Sequence, residues 1–236
     1  MKEKINGMFS KIYKRYDLMN HLLSFNFDKS WRKEAAKDAM IPKRRYVILD
    51  VASGTGDLAI ATSKMAIDNG KKTHIFAHDF NKDMLALAKE KFRAQGIKNI
   101  KVELGNAFHI KHGKNSIDVI TSGFALRSFI NAPGGKKNMQ QFLSEAYRTL
   151  KPKGKVVLLD MAMPDSKLDR IFFKAYSVLM LAIGSFVDKD TYAWLVRTIK
   201  AFDKNELLEM MKSTGFRDVR IRSLKSGIAF IATGQK

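Results

Sequence analysis

Apolar and polar positions change their period along this 236-residue chain in a regular order. From Met1 to about Met40, Ile5, Met8, Phe9, Ile12, Tyr16, Met19 and Leu23 recur at helical spacing, and Pro42 ends the pattern. Short apolar runs follow at 47–51, 74–77, 100–104, 117–122 and 156–160. Helical stretches separate them: one from Asp57, one over 81–95 and one ending at Leu150. Strand–helix alternation with short links predicts a parallel sheet covered by helices on both faces. Near the end, 219–221 and 228–232 flank a turn at Ser226-Gly227 and read as an antiparallel pair.

The expected fold is therefore α/β: a Rossmann-like, seven-stranded sheet of the methyltransferase pattern, with five parallel strands and a terminal antiparallel hairpin. Helices precede it, and a helical insertion over 165–213 comes before the hairpin. We expect a single domain over 1–236, with 1–41 as an N-terminal helical cover. Within the insertion, residues 175–187 carry no charge for 13 positions, too short a run to span a bilayer. They read as a buried helix, or as a cover over a greasy substrate, or as a dimer face.

In such sheets ligands sit beyond the carboxyl ends of the strands. Asp50, Asp79, Asn106, Gly123 and Asp160 all fall there. The first strand runs into VILDVASGTGD, an acid, a glycine-rich turn and a second acid opening a helix. Gly54 and Gly56 leave backbone open to a ligand. On spacing alone, Gly54, Gly56 and Ala59 also match the dinucleotide fingerprint. The acids separate the two readings. A dinucleotide sets its pyrophosphate at the helix N-terminus, where Asp57 would repel it. S-adenosylmethionine has no phosphate and carries an ammonium and a sulfonium, which suit Asp50 and Asp57. The plainer alternative is that Asp57 caps a helix and Asp50 ends a strand.

Asp79 is placed to accept hydrogen bonds from ribose hydroxyls, or else to cap the helix that starts near Asn81. Phe80 and Met84 are placed near an adenine. Asn106-Ala107 offers an amide and a small residue for the adenine edge, and Asn106 equally suits a turn. After the fourth strand comes SGFALR, Ser122 to Arg127, in place of the [NDS]-P-P-[FYW] motif of base amino-methyltransferases. Arg127 presents a five-donor fork able to steady an oxyanion, or it is a surface arginine.

Composition narrows the chemistry. Cysteine is absent, which excludes disulfides, thiolate metal sites and the thiolate route to C5-methylation of pyrimidines. The net charge of +20 implies attraction to polyanions, either an anionic membrane surface or nucleic acid, or a solvated surface. The charged N-terminus, MKEKINGMFSKIYKRYD, has no apolar signal core, so a cytoplasmic location is expected.

Taken together, the glycine turn, the N-terminal segment and GFALR resemble the C-methyltransferase family of menaquinone and ubiquinone biosynthesis. FSKIYKRYDLMNHLLSFNFDKSW, from Phe9 to Trp31, matches its N-terminal signature at Tyr16, Asp17, Met19, Asn20, Ser24 and Trp31. Further matches are RTLKPKGK, TYAWLVRTIKAF and LLEMMKSTGF. The resemblance implies cofactor contacts at Thr55, Asp79, Asn106 and Ala107. The next expected contact is a serine just before F-x-L-R, a position held here by Gly123. The usual L-R-N is here Leu126-Arg127-Ser128, Asn26 and Asp28 stand where glycine and histidine are common, and Asp203 replaces a usual proline.

The implied reaction is methylation of a ring carbon of a polyprenyl hydroquinone, with S-adenosylmethionine as donor and no metal. The expected partners are a lipophilic quinol, an anionic membrane surface at the periphery, and a second copy in a homodimer. Arg127 is the candidate for stabilising the phenolate and Tyr16 for orienting or relaying the proton, with His21 and Asp17 as further bases. His109 and His112 read as loop histidines. The alternatives are a methyltransferase acting on another small molecule or on RNA, and a catalytically silent RNA- or membrane-binding protein of the same fold.

Overall fold

The computed structural model describes residues 24, 26–185, 189–224 and 227–236. Seven strands form one sheet: β1 (Arg45–Val51), β2 (Lys72–Asp79), β3 (Ile100–Leu104), β4 (Ile117–Gly123), β5 (Leu150–Met161), β6 (Arg217–Ser223) and β7 (Ala229–Gln235). Their spatial order is β3-β2-β1-β4-β5-β7-β6. The first five run parallel, and β7 pairs antiparallel with both β5 and β6. The strand order reverses between β1 and β4, the position where open sheets of this kind form a ligand crevice.

Eight helices are described: α1 (Phe27–Asp38), α2 (Asp57–Asp68), α3 (Lys82–Ala94), α4 (Leu126–Asn131), α5 (Lys136–Thr149), α6 (Lys167–Ser185), α7 (Lys189–Ala201) and α8 (Lys204–Thr214). Side chains alternate across the strands and feed two cores. Ile48, Ile75, Val119, Val157 and Leu159 face a layer containing Trp31 and Ala35 of α1, Leu58 of α2, Phe92 of α3 and Phe173 of α6. Leu49, Val51, Ile120, Val156 and Leu158 face a second layer, with Leu126 and Phe129 of α4, Phe142 of α5 and Met211 of α8. Because both faces are covered, the strands read as near-continuous apolar runs rather than alternating ones.

Two expected boundaries shift. The single helix ending at Leu150 is two helices, because Pro133-Gly134-Gly135 interrupts it with φ of 109° and 53° at the two glycines. Strand β5 begins at Leu150, well before the apolar run at 156–160. Pairing with neighbours draws the polar KPKGK stretch into line: Leu150 aligns with Ile117, Lys155 with Gln235, and Lys236 exchanges backbone hydrogen bonds with Lys153 and Gly154.

At the amino ends of the strands a buried acid pins three elements. Asp118 of β4 accepts from Lys43 at 2.6 Å, from Lys151 at 2.8 Å and from the Val47 N–H at 2.9 Å. Despite burial, these donors hold its carboxyl below the usual carboxylate range.

Candidate active site

At the carboxyl ends the backbone turns sharply after β1. Ala52 has φ of 54°, Gly54 56° and Gly56 84°, all left-handed. The two glycines are required for different reasons. A Cβ on Gly56 would sit 2.5 Å from the Phe92 ring, so the residue's bareness lets α2 pack close to α3. A Cβ on Gly54 would meet nothing within 4 Å among the described residues, so that side of the turn leaves room for a ligand to approach the backbone.

Buried acids hold the turn in shape. Asp50 is fully buried and accepts hydroxyl hydrogen bonds from Ser53 and Thr121, both at 2.6 Å. Burial pushes its carboxyl up to about 6. Asp79 accepts from the N–H groups of Gly54 and Asn81, each at 2.8 Å, and burial raises its carboxyl as well. Neither acid has a cation in ion-pair range among the described residues. The cap of α3 is Asn81, whose side chain accepts from the N–H groups of Asp83 and Met84, so Asp79 is left to brace the glycine turn.

Asp57 behaves differently. It is the first residue of α2, whose N-cap, Gly56, has no side chain to offer, and its carboxylate pairs with Lys91 of α3 and lies 3.7 Å from Arg32 of α1. Lys91 also reaches the Thr55 hydroxyl at 3.3 Å. The protein therefore balances Asp57 with its own cations. The Arg32 guanidinium also pairs with Asp28 and sits 5.1 Å from the Phe124 ring centre.

Around this turn, Phe80 at the end of β2 is 51% exposed, whereas Met84 is buried. Asn106 is exposed, and its side-chain carbonyl accepts from the Phe108 N–H at 3.0 Å in a turn. Ala107 packs at the edge of the second core. Gly123 lies against Leu58, and a Cβ there would come within 3.2 Å of it. Ser122 points to the other face, where its buried hydroxyl has no partner among the described residues. The next residue, Phe124, holds a left-handed φ of 61°, an unusual conformation for an aromatic residue.

Arg127 is a buried residue of α4 rather than a surface arginine. Its Nε donates to Asp160 of β5 at 2.5 Å, its backbone N–H reaches the same carboxylate at 3.2 Å, and Nη1 lies 3.4 Å from the Thr198 hydroxyl of α7. Trp31, 6.3 Å from Phe124 between ring centres, keeps a buried indole N–H without a partner among the described residues. Tyr16, Asp17 and His21 lie outside the described residues, as does Ser226 of the hairpin turn. His109 is an exposed turn residue bridging to Asn106, and His112 pairs with Glu103 at 2.9 Å.

Sequence reasoning found the acids and glycines of the turn because they are neighbours in the chain. It missed Thr121, Lys91 and Arg32 as their partners, and Asp160 as the partner of Arg127, since each is brought in by sheet or helix packing from a distant position. Ser53 alone carried a local signal, three residues after Asp50.

A seven-stranded sheet of this order, with a bare glycine turn and a buried acid closing the next strand, is a fold shared with solved S-adenosylmethionine-dependent methyltransferases. A solved S-adenosylmethionine-dependent methyltransferase from Aquifex aeolicus superposes with a TM-score of 0.60 at 20% identity, covering 86% of this chain and 88% of that one. The sequence model of the ubiE/COQ5 methyltransferase family matches residues 1–236, and the chain belongs to that family. Among its relatives, the ubiquinone/menaquinone biosynthesis C-methyltransferase of Rickettsia akari is 35% identical over 98% of this chain and 92% of its own length. The demethylmenaquinone methyltransferase of Oceanobacillus iheyensis is 34% identical over 99% of this chain and 95% of its own length.

Proposed function

We propose that the chain methylates a ring carbon of a polyprenyl hydroquinone, of the demethylmenaquinol or methoxy-benzoquinol type, during quinone biosynthesis. The observation that carries the reading is the pair of buried, cation-starved acids, Asp50 and Asp79, beside the open face of Gly54. The acceptor class comes from the activities named for the Rickettsia and Oceanobacillus relatives. When bound, S-adenosylmethionine supplies an electrophilic methyl group on a sulfonium.

The chain's own residues then have distinct tasks. Asp79 takes the ribose hydroxyls while it keeps the turn in register, and Phe80 covers the adenine. Thr55, Gly56, Asn106, Ala107 and the Gly123 backbone line the same ligand. Asp50 contributes charge through the turn rather than by contact, since it is fully buried whereas Asp79 keeps a small exposed surface. On the acceptor side, the ring carbon becomes nucleophilic when the neighbouring hydroxyl loses its proton. Arg127, fixed by Asp160 through Nε, has its terminal nitrogens to offer the phenolate oxygen. Tyr16 orients the hydroxyl or relays its proton. Alignment of the two reactants supplies much of the remaining acceleration.

Incubating the purified protein with S-adenosylmethionine and a reduced demethylated quinol tests the reading. It expects one methyl group to appear on a ring carbon by mass spectrometry and NMR. Methyl transfer to RNA but not to the quinol would sink it in favour of the RNA alternative.

A further inference from the structure

Helix α6 carries a surface that the reaction does not use. Its inner side joins the first core: Phe173 is fully buried, Ser177 is buried, and Tyr176 packs beside them with its hydroxyl pushed up to about 12 by burial. Its outer side is apolar as well. Leu168, Ile171, Phe172 and Val178 are 62–67% exposed, and Ala175 between them is exposed too. These positions are i, i+3, i+4, i+7 and i+10, a single stripe at about 100° per residue. Singly exposed apolar residues are ordinary, whereas four large ones on one helical face mark a contact surface.

Cations border that stripe. On the same helical wheel Lys167, Arg170 and Lys174 all fall along one edge of it, while Asp169 falls beyond the opposite edge, against Gly227. Arg170 spends its Nε–H on the Pro164 carbonyl, which leaves Lys167 and Lys174 as the outward pair. An apolar face edged by lysines is the form of a helix that lies in a membrane interface. No helix among the described residues is long and apolar enough to cross a membrane.

We propose that α6 docks this chain on the surface of an anionic lipid bilayer. Leu168, Ile171, Phe172 and Val178 enter the headgroup–acyl boundary, and Lys167 and Lys174 meet lipid phosphates. Charge complementarity selects this occupant over a second copy of the chain: a net charge of +20 attracts an anionic surface but makes two copies repel, and an antiparallel pairing of two stripes would bring their lysine edges together. The inference deepens the quinol reading, since a polyprenyl acceptor resides in the bilayer and the inner side of α6 packs into the core that holds Trp31. Vesicle binding is read without any acceptor, so failure of either idea can be told from failure of the other.

Flotation with vesicles of phosphatidylcholine plus phosphatidylglycerol, against phosphatidylcholine alone, tests it. The wild-type chain is expected to float with the anionic vesicles only. Ile171→Asp/Phe172→Asp and Lys167→Glu/Lys174→Glu should each lower the partition coefficient about tenfold or more. Thermal melting and cofactor affinity should stay unchanged, because these side chains are exposed. Ile171→Trp/Phe172→Trp should bind at least as well as the wild type. Wild-type flotation by the Ile171→Asp/Phe172→Asp variant would overturn the proposal, as would a wild-type chain that ignores anionic vesicles. A wild-type dimer in sedimentation equilibrium that this variant dissolves would hand the stripe to a second copy instead.

Discussion

The two ends of the sheet treat a buried acid in opposite ways. At the amino ends, Asp118 is surrounded by two lysines and a backbone N–H, and its carboxyl is held low. At the carboxyl ends, Asp50 and Asp79 receive only hydroxyls and amides, and both are raised. The first arrangement is complete within the protein and serves stability. The second leaves negative charge without a cation, at a cost to the unliganded fold that, on the proposed function, a cationic cofactor offsets on binding.

Substitutions can break this contrast. The largest effect is expected from Asp79→Ala, which removes the anchor of the Gly54 and Asn81 amides. Calorimetry should find cofactor affinity lower by about a thousandfold or more, roughly 4 kcal/mol. Next comes Arg127→Ala, which should spare cofactor affinity and cut turnover by about a hundredfold. It also strands Asp160, so the melting temperature should fall, and adding Asp160→Asn should restore stability but not turnover. Normal turnover in Arg127→Ala would remove the residue from the mechanism.

Asp50→Asn sharpens the comparison because its two effects have opposite signs. An acid raised to about 6 contributes stability that is complete below its unfolded value near 3.8 and is lost as pH rises through 6. At pH 8 the ionised group is therefore a burden, and Asp50→Asn should stabilise the unliganded chain by about 1–3 kcal/mol. The same variant should bind the cofactor about tenfold more weakly. In the wild-type chain, cofactor affinity should fall below pH 6 as Asp50 protonates, and that dependence should flatten in Asp50→Asn. A pH-independent affinity between 5 and 7 would refute the electrostatic role.

The smallest effect belongs to the other end. Asp118→Asn should destabilise by about 1–2 kcal/mol, limited by solvent screening at the exposed lysine, and leave cofactor affinity alone. With its carboxyl held low, Asp118 contributes stability above its unfolded value and loses it as pH falls through the depressed one. Denaturant titrations at pH 3 and pH 7 should therefore show the variant's stability deficit at pH 7 shrinking at pH 3.

This contrast also explains what the sequence disclosed. All seven strands and the glycine turn were readable because their information is local: apolar runs of strand length, Gly54 and Gly56, and acids at fixed offsets. The helix break at 133–135 was spelled out by Pro-Gly-Gly and was passed over because the apolar period continues across it. The true start of β5 could not be read from KPKGK, whose polarity argues against a strand and is overridden by pairing with β7. On the acceptor side the Arg127–Asp160 pair joins positions 33 apart, and no local spacing announces it. The SGFALR segment offered Arg127, but only packing shows that its Nε is already committed.

The position of β7 between β5 and β6 has a consequence for how the chain is made. Strand β5 leaves the ribosome about seventy residues before β7, its partner on one side. At ordinary synthesis rates of about 5–20 residues per second, that edge waits for several seconds. During this time the Gly54 turn and its acids can already be assembled on β1, β2 and β4, while the backbone of β5 offers an unpaired ladder to any passing strand. The polar KPKGK stretch at the start of β5 lies on this waiting edge, and lysine and proline are the residues that discourage edge-to-edge association. The sequence that disguised the strand from its reader also shields it from its neighbours during synthesis.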